Sequence, residues 1–298
     1  MKILILGKNG QVGFEILKLI NKKNDILAPS KDDLNLVDLP KLRKTVQEYK
    51  PDVIINSSGY TRVDDAEFER ETATILNEKV PDTLAQEGNK INSLLVHFST
   101  DYVFDGMREE PYIEEDDTNP LNFYGLTKLK GEKAIQKNCK KFVILRTSWV
   151  VGSYGENFIK KILDKAKKKE KILIVDDQIG APTWSKSLAH LTVFLLEKYQ
   201  KNNLSFPYGL YHASAKGKTN WYDLAKYVIN FANSKGEKLN ISVKDIFPVN
   251  SSFYKSSAKR PNNSILDNNK LCDSFNFKFP CWREGIDEIM SEILNDKK

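Results

Sequence analysis

Gly7, Gly10 and Gly13 follow directly on the apolar run Lys2–Leu6 and open a segment, Gly10–Ile20, whose Phe14, Leu17 and Ile20 fall near helical spacing. A buried strand that ends in a glycine turn and restarts as a helix admits few folds. Gly7 permits the tight turn, Gly10 lets the backbone approach a pyrophosphate, and Gly13 allows close helix–strand packing. The helix N-terminus then faces the phosphates. The spacing is G-x-x-G-x-x-G, one residue longer in its first step than the standard dinucleotide fingerprint.

The alternation continues for about half the chain. Strands are predicted at Ile26–Ala28, Val53–Asn56, Leu94–Ser99 and Phe142–Arg146, and helices at Leu39–Tyr49, Ala66–Gln86 and Tyr124–Gln136. Strands and helices joined by short connections predict a parallel sheet covered on both faces. Beyond Gly152 the pattern loosens into helices at Asn157–Lys167, Lys186–Tyr199, Asn220–Asn233 and Trp282–Leu294. Short strands fall at Ile172–Val175, Gly209–His212 and Lys244–Phe247, and Asn250–Asn269 reads as loop. The fold class is therefore α/β: a Rossmann-type doubly wound parallel sheet over residues 1–150, with a smaller C-terminal substrate-binding lobe over 151–298. Segments of the C-terminal half are expected to return to the sheet.

Composition excludes several function classes. Net charge is +6, from 46 basic and 40 acidic residues, too mild for a nucleic-acid surface without an accompanying motif. The basic run Lys165–Lys171 reads as a solvated helix end. No apolar run approaches the roughly 20 residues that span a bilayer, and Ile3–Leu6 is too short for a signal-peptide core. A cytoplasmic protein without membrane or nucleic-acid partners is expected. Cys139, Cys272 and Cys281, with His97, His190 and His212, show no ligand spacing, so no metal site is expected from them.

The chemistry concentrates after the fourth strand. Ser99 and Thr100 end that strand, and Tyr124 and Lys128 stand four apart on the next helix, on one face. A ketone that accepts a hydride must also receive a proton on its oxygen. Tyrosine at its ordinary pKa of about 10 gives a proton slowly at neutral pH, and a nearby ammonium lowers that value. The lysine can also hold the ribose of a nicotinamide, and a Thr100 or Ser99 hydroxyl completes the grip on the substrate oxygen. Asn56 to Thr61, after the third strand, supplies small residues over which a cofactor can lie. At the second strand end stand Ser30 and Lys31, with no acid in the position that binds an NAD ribose. This favours NADPH, with NADH the alternative if Asp32 or Asp33 folds back to serve as that acid.

In this order the motifs resemble the extended short-chain dehydrogenase/reductase superfamily and, within it, the dTDP-4-dehydrorhamnose reductase family. The similarity extends through Pro51–Asn56, Tyr60–Glu67, Ser99–Gly106, Pro120–Lys128, Arg146–Trp149, Gly155–Phe158, Asp177–Thr183 and Arg260–Leu266. The resemblance implies reduction of dTDP-6-deoxy-L-lyxo-4-hexulose (dTDP-4-dehydro-β-L-rhamnose) to dTDP-L-rhamnose for cell-surface polysaccharide. It implies Tyr124 as proton donor, with Lys128 and Thr100 completing the catalytic set. The cofactor would be bound by Gly7, Asn9, Gly10, Gln11, Val12, Ser30, Asn35, Leu36, Ser58, Gly59, Tyr60 and Thr61, together with Tyr124 and Lys128. Thr100, Asp101, Trp149, Asn157 and Arg260 would meet the sugar nucleotide. The sequence departs from the family pattern at Asn35, where Asp is usual, and at Val151, where an aromatic is frequent. Some members bind Mg2+ at a dimer contact. Glu15 matches one such position and His190 does not match another, which leaves both monomer and homodimer open. A sister nucleotide-sugar 4-ketoreductase or epimerase, and a non-catalytic regulatory homologue, are the alternative readings.

Overall fold

The computed structural model describes residues 1–295. The first half follows the alternation read from the sequence: β1 (Lys2–Leu6), α1 (Gln11–Leu19), β2 (Asp25–Leu27), α2 (Leu39–Tyr49) and β3 (Val53–Asn56). Then come α3 (Arg70–Thr74), α4 (Val80–Lys90), β4 (Leu94–Thr100), α5 (Phe123–Asn138) and β5 (Phe142–Thr147). The remainder comprises β6 (Val150–Val151), α6 (Phe158–Lys168), β7 (Ile172–Val175), β8 (Ile179–Gly180), β9 (Thr183–Trp184), α7 (Ser185–Lys201) and β10 (Gly209–His212). It ends with β11 (Thr219–Asn220), α8 (Trp221–Ser234), β12 (Ile246–Val249), α9 (Asn269–Phe275) and α10 (Trp282–Asn295).

Six strands form one parallel sheet in the order β10-β5-β4-β3-β1-β2. Every residue of β3 and β4 is buried, as expected for central strands covered on both faces. The order reverses at β1, with β2 on one side and β3 on the other. This is the switch point outside which open α/β sheets bind ligands. Apolar residues of α1 and α7 cover one face of the sheet, and those of α2, α4 and α5 the other.

A further core gathers Val151, α6, β7, α8, Ile246 and α10. The chain does not stay in it. After β9 it returns to the sheet with α7 and β10, and later again with Leu271, Phe275 and Phe279. The nominal second half thus supplies the sixth strand and one covering helix.

Helix α9 and the short strands β6, β8, β9 and β11 were not expected, and two of the expected elements differ. The single helix expected over Ala66–Gln86 is broken into a 3₁₀ turn at Asp65–Glu67, α3, a π-helical turn at Ile75–Lys79, and α4. The cause is Pro81. It has no N–H to give the carbonyl of Asn77, so the regular ladder cannot pass that point. Near residue 244 the strand begins later than expected. Ser242 and Asp245 form a capping box that holds Val243–Asp245 in a 3₁₀ turn, and pairing with β7 starts at Ile246.

Candidate active site

The β1–α1 turn is built by exclusion of side chains. Gly7 has φ +87°, and a Cβ there would lie 2.7 Å from the Ser57 backbone. A Cβ on Gly13 would meet the Gly7 carbonyl at 2.1 Å. Gly10 caps α1 without a side-chain bond, so no side-chain cap covers the first N–H groups of the helix. Together these features form a cradle suited to a pyrophosphate.

That cradle opens into a cleft of ≈ 740 Å³. Its walls include Gly7, Asn9, Gly10, Gln11 and Val12 from the first turn, and Ser58, Gly59, Tyr60 and Thr61 from the β3 end. Thr100, Asp101, Tyr124, Lys128 and Trp149 line it as well. Sequence elements more than a hundred residues apart thus converge at the switch point.

Asn122 caps α5 by accepting from the Gly125 N–H at 2.8 Å, and this places Tyr124 and Lys128 in the first turns. Burial pushes Tyr124 up to about 12; the Thr100 hydroxyl bonded to it works in the opposite sense, and the Asp101 charge adds to the rise. Lys128 is not what sets this value. Its Nζ donates to the Phe98 carbonyl at 2.6 Å, and burial lowers it to about 8 against the opposing pull of Glu132. A tyrosine at about 12 remains a competent acid for this task. An alkoxide is comparable in basicity to hydroxide, whose conjugate acid lies at about 15.7, so the transfer is downhill. Thr100 also accepts from the Tyr102 N–H at 3.2 Å and donates to Asp101 at 3.1 Å. Burial raises Asp101 to about 6.

Trp149 has φ +49°, a rare conformation for a bulky side chain. Its ring stacks on Trp221 with centroids 3.5 Å apart, and a Cβ on Gly180 would come within 2.5 Å of it. Trp221 also lines a second cavity of ≈ 870 Å³, bounded by Lys165, Lys255, Lys259, Asp64 and Arg260. Arg260 is paired there with Asp64. Burial opposes ionisation of Asp64, yet bonds from Arg260, Ser256 and the Ala258 N–H hold it at about 2.

Four expected contacts lie elsewhere. Asn157 caps α6, accepting from the Ile159 and Lys160 N–H groups, and its amide donates to Gln11 and to the Gly152 carbonyl; it does not line the cleft. Ser30, Asn35 and Leu36 are also outside its walls. The Ser30 N–H and hydroxyl both donate to Asp33, at 2.9 and 2.6 Å, so this acid does fold back on the strand end.

Asn77, Trp221 and His97 were not anticipated. Asn77 is fully buried and clamps the Gly59–Tyr60 turn. It accepts from the Tyr60 N–H at 2.8 Å and donates to the Tyr60 carbonyl at 3.1 Å. An asparagine inside an otherwise regular helical pattern was the available signal, because its side chain competes for backbone groups.

Near Glu15, whose Oε2 is buried without a hydrogen-bond partner, the neighbouring charges are partly engaged within the chain. Lys18 approaches Glu15 at 3.9 Å, and Glu292 is taken up by Lys186 at 3.0 Å and by the Ser153 hydroxyl at 2.6 Å. Among the described residues no three His, Cys, Asp or Glu side chains gather to hold a metal. With Lys18 and Lys186 already beside the Glu15 and Glu292 carboxylates, treatment with EDTA is expected to leave melting temperature and turnover unchanged. A loss reversed by added Mg2+ would contradict this.

A glycine cradle at the switch point of a parallel sheet, above a buried Tyr-x-x-x-Lys helix and a strand-end threonine, defines a nicotinamide-dependent reductase of the short-chain dehydrogenase/reductase architecture. Residues 1–295 match the family described as RmlD substrate binding domain. A dTDP-4-dehydrorhamnose reductase of Burkholderia thailandensis is 36% identical over 99% of this chain and 100% of its own length. A crystal structure of the Bacillus anthracis dTDP-4-dehydrorhamnose reductase with NADP superposes with TM-score 0.88 at 34% identity, covering 98% of this chain and 99% of that one. The Clostridium acetobutylicum reductase gives 0.89 at 32% identity, over 99% and 100% of the two chains. The chain belongs to the dTDP-4-dehydrorhamnose reductase family.

Proposed function

We propose that this chain reduces the C4 ketone of dTDP-4-dehydro-β-L-rhamnose to dTDP-L-rhamnose. The observation that carries the reading is the convergence of Tyr124, Thr100 and Lys128 on the same cleft as the glycine cradle. Full-length similarity to reductases of that name supports it. A bound NADPH supplies the hydride. Gly7, Asn9, Gly10, Gln11 and Val12 hold its phosphates, and Ser58, Gly59, Tyr60 and Thr61 line its path toward Lys128. Tyr124 gives its proton to the sugar oxygen, with Thr100 fixing the phenol. Asp101 and Trp149 face the sugar, and the basic wall of Lys255, Lys259 and Arg260 suits the diphosphate.

The test supplies the 4-keto sugar nucleotide with NADPH and follows the fall in cofactor absorbance. Turnover only with another keto sugar would reassign the substrate. For cofactor choice, Lys31 and the positive charge of Lys8 near Asp33 favour a 2′-phosphate. The Asp33 carboxylate at Ser30 favours the alternative, NADH. A kcat/KM ratio for NADPH over NADH above about tenfold, or ~1.4 kcal/mol of discrimination, is the expected outcome, and a ratio below one would reverse the assignment.

A further inference from the structure

His97 lies inside the protein with no exposed surface, on β4 directly opposite Asn56 of β3. Its two ring nitrogens face different partners. Nδ1 is 3.0 Å from Asn56 Nδ2, and Nε2 is 3.5 Å from Lys128 Nζ. The orientation of the Asn56 amide is fixed from its other end, where Oδ1 accepts from the Ser58 N–H at 3.2 Å and the Ser58 hydroxyl at 2.6 Å. The amide nitrogen therefore points at the ring and donates. Nδ1 must accept, and in a neutral imidazole the proton then sits on Nε2.

We propose that His97 is a positioning residue for Lys128: Asn56 locks its ring so that an N–H, and never a lone pair, is turned toward the lysine. This rests on the reductase reading of the site. The lock withholds a hydrogen-bond acceptor from the ammonium. The acceptor supplied from β4 is then the Phe98 carbonyl. It also makes the histidine a dead end for protons, because an amide nitrogen cannot take one up.

The other groups around Lys128 do not replace the missing acceptor. Glu132, one turn on along α5, is engaged by the Arg146 guanidinium and the Ser99 hydroxyl. Tyr124 lies one turn back, and Asp101 follows the end of β4. Gly59 and Asn77, from the segments facing α5, carry no charge. Burial and the Lys128 charge keep His97 well below its usual range, consistent with a neutral ring.

Asn56→Asp tests the lock with almost no change of shape. One carboxylate oxygen keeps both Ser58 bonds. The other accepts from Nδ1, so the proton moves to Nδ1 and Nε2 offers its lone pair to Lys128. Lysine is the stronger base and keeps the shared proton. The alkaline limb of the kcat/KM profile is expected to rise by about one pH unit. The double variant Asn56→Asp/His97→Phe is expected to lose that shift. A shift that survives without the imidazole would mean that the added charge acts directly, and the proposal would fall. An unchanged limb in the single variant would also overturn it.

A second measurement is independent of turnover. With three histidines in the chain, ¹⁵N-histidine NMR can read each tautomer. The expected result is a neutral Nε2–H form for His97 between about pH 6 and 8 and an Nδ1–H form in Asn56→Asp. An Nδ1–H form in the unmodified protein would refute the lock. An Nε2–H form in a protein that does not reduce the keto sugar would instead remove the proposed substrate and leave the lock standing.

Discussion

Tyr124→Phe is expected to lower kcat by about 10²- to 10⁴-fold, the usual contribution of a positioned general acid. That range corresponds to ~3–5 kcal/mol of barrier. The substitution removes one oxygen from the cleft lining and keeps the ring that packs edge-on against Tyr102, with centroids 5.5 Å apart. Folding should therefore be little affected. Cofactor affinity, read by quenching of cofactor fluorescence, should stay within about threefold, because the loss is confined to an interaction made in the transition state. Full activity in this variant would show that water or another side chain protonates the product. A parallel loss of melting temperature would mean that the hydroxyl is structural.

Gly131→Ala should be damaging for a different reason. On α5, one turn beyond Lys128, a Cβ at residue 131 would lie 2.1 Å from the Asn77 carbonyl oxygen. This is the carbonyl to which the nitrogen of Pro81 has no N–H to donate. Neither backbone can yield cheaply, since Asn77 also holds the Gly59–Tyr60 turn. Overpacking of this kind costs ~3 kcal/mol at the upper end of its range, or roughly 5 °C in Tm for a chain of 298 residues. The helix must move away from Asn77 and carry Lys128 with it. A displacement of about 1 Å can cost on the order of 100-fold in rate, so kcat should fall even at temperatures where the variant is folded. An alanine variant that melts with the unmodified protein and turns over normally would show that α5 tolerates the contact.

The sheet and the glycine turn were legible because their signals are local. Lys2–Leu6, Val53–Asn56 and Leu94–Ser99 are apolar runs bounded by small residues, and their pairing follows from short right-handed crossovers. Tyr124 and Lys128 were legible because a helix brings residues four apart onto one face. What surrounds them was not. The Lys128 ammonium rests on Phe98 and beside His97, about thirty residues earlier on another strand, and no spacing encodes that contact. Trp149 and Trp221 meet only because the chain folds back through β8 and β11. Asn157 shows the converse. Its place at the start of a predicted helix already suited a cap, and the structure uses its side chain for that. The π turn was also half-visible: Pro81 stands in the sequence, but the apolar periodicity on either side of it reads as one continuous helix.

The repeated passage of the chain between its two cores limits how the cleft can open. It leaves the sheet after Thr147, returns between Ala181 and Leu188, and leaves again between Ala213 and Ala215. It returns once more between Ile246 and Leu271 and departs finally between Phe279 and Trp282. Hinged enzymes open by bending at a few residues in one or two connectors. Here five connectors would have to bend in concert, and one of them is continuous with the edge strand of the sheet. The two cores are thus joined by five connectors rather than by a single hinge. Entry of a long, charged guest is then expected to proceed without a large hinge rotation of one core against the other.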